Sequence, residues 1–154
     1  MASGRLPGRL RQALNRSGLS GSRLEIEIIE SMALHDLAPT RRSLAAIRAM
    51  GARLALDDFG TGYASLARLT ETRFDTLKID RRFMADRTES AAILAAIASL
   101  AGALGLRTTA EGVETAEQCM RARRHGFRDA QGFLFGAARP QAETLRMLRD
   151  GLYA

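Results

Sequence analysis

The sequence predicts an α/β fold built from βαβ units around a parallel sheet, and three observations carry that prediction. Short apolar runs of strand length alternate with longer segments of helical period. Five of the short runs end in polar, mostly ionisable residues, which is where parallel α/β folds place their ligand-binding face. A length of 154 residues, 46% of them apolar and 26% charged, suits one soluble domain with a sizeable core.

The elements follow in order. A helix over about 6–17 precedes the first strand, 23–29 (RLEIEII), which delivers Glu27 and Glu30. A helix over 38–50 leads to the second strand, 52–57 (ARLALD), which delivers Asp57 and its neighbour Asp58. A short helix over 63–70 connects to the third strand, 74–79 (FDTLKI), which brings Lys78 and Asp80. The clearest helix spans 88–104, rich in Ala and Leu, with Ser90 near its start and Gly105 placed to end it. The fourth strand, 106–110 (LRTTA), leads to Glu111 and Glu114; a helix over 115–124 follows. The fifth strand, 128–134 (RDAQGFL), carries Gln131, and a helix over 140–150 completes the series.

Composition excludes several classes. No run approaches the roughly 18–20 apolar residues that span a bilayer, and the basic start MASGRLPGRLRQALNRSG has no apolar stretch of secretory-signal length, so a cytoplasmic location and no membrane partner are expected. Cys119 is the single cysteine, which rules out an intrachain disulfide and a cysteine-based zinc site and fits a reducing compartment. The formal charge of +6 points first to nucleic acid, but the arginines are spread along the chain and only 5% of residues are aromatic, so no nucleic-acid polymer is expected as partner. Of the 23 basic residues all but Lys78 are arginine.

The chemistry of the strand ends is more specific. Several carboxylates at one mouth repel one another unless basic groups or metal neutralise them, and Asp and Glu oxygens suit hard divalent cations such as Mg²⁺ or Mn²⁺. Only His35 and His125 could add imidazole, and neither lies at a strand end. Adjacent strand residues point to opposite faces, so Asp57 and Asp58 can share a metal cluster only if the backbone bends between or just after them, a freedom that Gly60 and Gly62 are expected to supply. Two metals bridged by one carboxylate could clamp both oxygens of a phosphodiester, with Lys78 holding or helping to deprotonate the water. Each group alone has a plainer explanation as a turn acid, a surface ion pair or a helix-start charge. Five successive strand ends so equipped favour a single site.

The residues now resemble a known family. LEIEIIES at 24–31, ALDDFGTGYASL at 55–66, LKIDRRFM at 77–84, AEGVETAEQ at 110–118 and QGFLFG at 131–136 are similar, in the same order, to five motifs of the EAL-domain cyclic-di-GMP phosphodiesterases. The resemblance implies a (β/α)₈ TIM-barrel-type fold and hydrolysis of cyclic di-GMP to linear pGpG with two Mg²⁺ or Mn²⁺ ions. By the same resemblance Glu27 binds the first metal, Asp57 bridges both, Asp58 and Glu111 bind the second, and Lys78 positions the water. Lys78, Glu111 and Asp58 are thus the catalytic candidates. Glu30 braces the DFGTGY loop, Asp80 and Glu114 support the ligands, and Gln131 hydrogen-bonds within the site. Gly60, Thr61, Gly62 and Gln131 are assigned to substrate.

Departures from the pattern shape further expectations. The E-A-L and V-N-x-S motifs, which complete the first metal's coordination in the family, do not occur in these 154 residues, and Ile29 replaces a Thr of the first motif. An incomplete barrel of about five parallel strands, a single partial domain over 1–154, is therefore expected, with two open strand edges and an apolar interior facing water. Self-association as a homodimer, or pairing with an N-terminal segment in trans, follows from that picture. A second function class also stands: an EAL module without hydrolytic activity that serves as a cyclic-di-GMP receptor or protein-interaction surface.

Overall fold

The computed structural model describes residues 5–30, 38–61, 69, 71–84 and 88–151. Five parallel strands lie in chain order in one sheet: β1 (Glu25–Ile29), β2 (Arg53–Phe59), β3 (Thr76–Ile79), β4 (Arg107–Ala110) and β5 (Asp129–Ala130). The helices are α1 (Leu6–Ser17), α2 (Ala38–Arg48), α3 (Thr88–Leu104), α4 (Ala116–Arg124) and α5 (Gln141–Asp150). The expected helix over 63–70 falls, apart from Leu69, outside the described residues, as do Gly62 and His35. Among the described residues no helix is long and apolar enough to cross a membrane.

Strand alternation sorts the side chains into two unlike faces. Leu54 and Leu56 of β2 with Leu77 and Ile79 of β3 are buried on the helix side. They join Ile47 of α2 and the row Leu94, Ile97 and Ala101, whose spacing puts all three on one side of α3. This layer is the core, and burying it supplies the main drive to fold.

The opposite face is polar, contrary to the apolar interior expected of an unclosed barrel. Glu25 Oε2 accepts from Thr76 Oγ1 at 2.7 Å and from Arg53 Nε at 3.4 Å, while Arg107 Nη2 donates to Asp129 Oδ2 at 2.8 Å. Water against this face therefore meets paired charges. The sheet edges are as expected: among the described residues β1 pairs only with β2, and β5 only with β4.

The fifth strand is shorter than the apolar run RDAQGFL suggests. Gln131 N still donates to Ala110 O at 2.8 Å, but the chain then turns into a single 3₁₀ turn, Phe133–Phe135. The cause is Gly132, packed so tightly on Val113 that a Cβ would stand 2.2 Å from its carbonyl oxygen. Phe133 and Phe135 are consequently exposed rather than alternating into a strand.

Candidate functional site

The C-terminal ends of β1 to β4 converge, and the local backbone of β2 explains how its two acids reach one place. Leu56 pairs with Leu77 and Phe59 with Ile79, so Asp57 and Asp58 together oppose the single residue Lys78, a β-bulge. Asp58 takes a left-handed conformation, φ 57°, and its N–H donates to Asp57 Oδ1 at 3.1 Å. The bend therefore lies between the two acids, one of the two places where the sequence required it, and is made by Asp58 itself rather than by the glycines. Gly60 extends it at φ 91°, with a virtual Cβ only 2.8 Å from the Phe83 ring.

Asp57, Asp58 and Glu111 each present a carboxylate oxygen, all within 4.8 Å of one another. That spacing and an all-oxygen donor set fit a hard divalent cation. Glu27 is joined to the group through Lys78. The lysine, 4% exposed, places Nζ 2.6 Å from Glu27 Oε1, 2.6 Å from Glu111 Oε1 and 3.3 Å from Asp57 Oδ1.

The electrostatics follow from that crowding. Burial works against the charge on Lys78, but hydrogen bonds with Glu111 and Glu27, and the charges of Glu111 and Asp57, outweigh it and hold its pKa above the ordinary lysine value. Lys78 is an ammonium at neutral pH. Burial pushes the Glu111 carboxyl up against the lowering pull of Lys78, and nearby Asp57 adds to the rise.

The other expected site residues sit around this centre. Glu30, 1% exposed, follows β1 directly, and its Oε2 accepts from Gly60 N at 2.9 Å. Thr61 N donates to Asp58 O at 3.2 Å, so the described part of the loop turns back on the bulge. Asp80 Oδ1 accepts from Arg82 N at 2.9 Å and fixes the turn that follows β3. Gln131 shares an open pocket with Asp58, Asp80, Glu111 and Gly132. Glu114 is brought near through its backbone only: its N–H donates to Gln118 Oε1 at 2.7 Å, and its side chain is exposed.

Gln118 also completes a capping box at the start of α4. Its N–H donates to Thr115 Oγ1 at 3.3 Å, while its Oε1 accepts from Thr115 N at 3.1 Å. Thr115→Ala is expected to lower stability by about 1 kcal/mol, read as a shifted midpoint in urea denaturation. An unshifted midpoint would show that the cap adds nothing to fixing the Glu111–Thr115 segment.

Strand-end reasoning passed over Arg81, which lines the same pocket as Asp58 and Glu111. Its position immediately after Asp80 was the available signal. Phe83 was passed over as well, and no polar pattern could have marked it, because it acts by contact with Gly60.

The EAL domain family model matches residues 1–140. MucR of Pseudomonas aeruginosa, a bifunctional diguanylate cyclase/cyclic di-GMP phosphodiesterase, is 41% identical over 139 residues, covering 88% of this chain and 20% of MucR. The structure of the MucR phosphodiesterase in complex with c-di-GMP matches with a TM-score of 0.86 at 40% identity, covering 93% of this chain and 59% of that one. Klebsiella pneumoniae BlrP1, in a manganese/cy-diGMP complex, matches with a TM-score of 0.78 at 35% identity, covering 84% of this chain and 34% of BlrP1. The chain spans 18%, 17% and 20% of the length of three curated relatives that it matches. With five parallel strands in TIM-barrel-type order, a bulged acid pair at the mouth, and a family match over most of its length, this chain belongs to the EAL domain family.

Proposed function

We propose that this pocket is the metal-dependent site of a cyclic-di-GMP phosphodiesterase that opens the cyclic dinucleotide to linear pGpG. The observation that carries the reading is the meeting of Asp57, Asp58 and Glu111 within 4.8 Å, beside a buried lysine. The relatives support it: MucR is named for this activity, and BlrP1 holds manganese together with the dinucleotide.

Glu27, Asp57, Asp58 and Glu111 would hold two Mg²⁺ or Mn²⁺ ions, with Asp57 shared between them. Ions bound there supply Lewis-acid polarisation of the phosphodiester and a nucleophilic water at neutral pH. The chain's own groups do the rest. Lys78 donates a hydrogen bond that orients the water and offsets negative charge growing on phosphate. Glu30 holds the loop segment that presents Gly60 and Thr61 to substrate, while Gln131 and Arg81 face the dinucleotide from the other side of the pocket. Asp80 and Glu114 keep the neighbouring loops in place. A second copy of the chain would complete the two edge strands, each of which pairs on one side among the described residues.

The purified 154-residue chain, given cyclic di-GMP and Mn²⁺, is expected to produce pGpG, followed by chromatography of the nucleotides. Saturable binding of the dinucleotide without product would favour the receptor reading instead. Neither binding nor product, from a folded chain, would remove both.

A further inference from the structure

Lys78 occupies the position a cation would seek. Its Nζ reaches one oxygen each of Glu27, Asp57 and Glu111, and those three residues, with Asp58, are the ligands proposed above for the divalent ions. An oxygen lone pair directed at an ammonium is not at the same time available to a metal. We propose that Lys78 is the resident counter-ion of the metal-free site, holding its carboxylates together and setting how weakly divalent cations bind there.

The charges argue for it. Glu27, Asp57, Asp58 and Glu111 with Lys78 form a cluster of formal charge −3, and without the lysine −4. Two divalent ions neutralise the lysine-free cluster fully, whereas with Lys78 present the loaded cluster carries an excess positive charge in a partly buried place. The ammonium therefore opposes the second ion more than the first. It also gives the site a defined shape: three carboxylates that would otherwise repel one another are drawn to one donor. Metal affinity is exchanged for a pocket whose carboxylates are already gathered before ions bind. This inference rests on the metal-site reading above and deepens it.

Lys78 is the chain's only lysine, which makes the test clean. Mn²⁺ binding to the full chain is measured by titration calorimetry for the wild type, Lys78→Met and Lys78→Arg. Lys78→Met is expected to bind Mn²⁺ about tenfold more tightly or better, since a unit charge and a dication about 4 Å apart repel by at least that factor even at the dielectric of water. Lys78→Arg, which keeps the charge, is expected to stay near the wild type. In wild-type protein carrying ¹⁵N-lysine, the single side-chain ammonium resonance is expected to shift with Mg²⁺ at the midpoint given by calorimetry. Equal or weaker binding by a folded Lys78→Met overturns the proposal, and so does a resonance that stays fixed at saturating Mg²⁺; that second readout decides alone if the variant does not fold. Absence of metal binding in the wild type and both variants would instead overturn the metal-site reading, and the counter-ion role with it.

Discussion

Asp57→Asn is expected to reduce cyclic-di-GMP turnover on the order of 10³-fold or more, while the folded state stays close to wild type. The asymmetry comes from what the substitution keeps. Asparagine has the same shape, and its amide oxygen can still accept from Asp58 N, the bond that Asp57 Oδ1 makes at 3.1 Å inside the bulge. The β2 backbone and its left-handed Asp58 should therefore persist. What disappears is one unit of negative charge at the centre of the cluster, on the residue assigned to both ions, and bound metals supply several kcal/mol of charge stabilisation in reactions of this class. Turnover of pGpG from cyclic di-GMP with Mn²⁺, compared at equal folded fraction by circular dichroism, measures it. A variant that keeps more than a tenth of wild-type turnover would place Asp57 outside the reacting centre.

The sequence made much of this legible because period and chemistry coincide. Helix α3 spans Thr88–Leu104, as read, since a long Ala- and Leu-rich segment has no competing structure. Strands β1 to β4 were found from their apolar runs, with ends displaced by one or two residues. Strand β5 was overread because an apolar run says nothing about the backbone of Val113, which comes in from elsewhere in the chain and crowds Gly132. A bend between or just after Asp57 and Asp58 was expected from the need to share a site, and only the conformational freedom for it was credited to the nearby glycines instead of Asp58. A left-handed aspartate inside a bulge has no local signature, since it follows from the pairing of β2 with β3. The polar inner face was legible in principle, because Glu25, Thr76, Arg107 and Asp129 each stand two residues before another polar residue of the same strand run, Glu27, Lys78, Thr109 and Gln131. It was missed because attention to strand ends left the strand starts unread. The contact of Lys78 with three acids is a tertiary fact, and the sequence offered only the oddity of a single lysine among arginines.

Glu30→Ala is expected to lower stability by about 2–4 kcal/mol and turnover on the order of 10²-fold, through the loop that Glu30 holds. A side chain that is 1% exposed and acidic is costly to bury unless hydrogen bonds repay the loss of water. One such bond is with Gly60 N at 2.9 Å, which ties the end of β1 to the residue just beyond β2. Removing the side chain takes away the acceptor and leaves a void beside the bulge, so both a lost-partner cost and a cavity cost apply. The loop after Asp58 then loses its hold, and Asp57 and Asp58 are no longer kept within reach of Glu111; misplacement of this kind costs rate without removing any reacting group. Glu30→Gln separates shape from charge: it retains volume and an acceptor oxygen for Gly60, and should recover most of the stability and turnover lost in Glu30→Ala. Urea midpoints and pGpG production for the two variants give the comparison. Equal losses in both would mean that the carboxylate charge, rather than its bond to Gly60, supports the loop, and no loss in Glu30→Ala would mean that the loop holds its position without this residue.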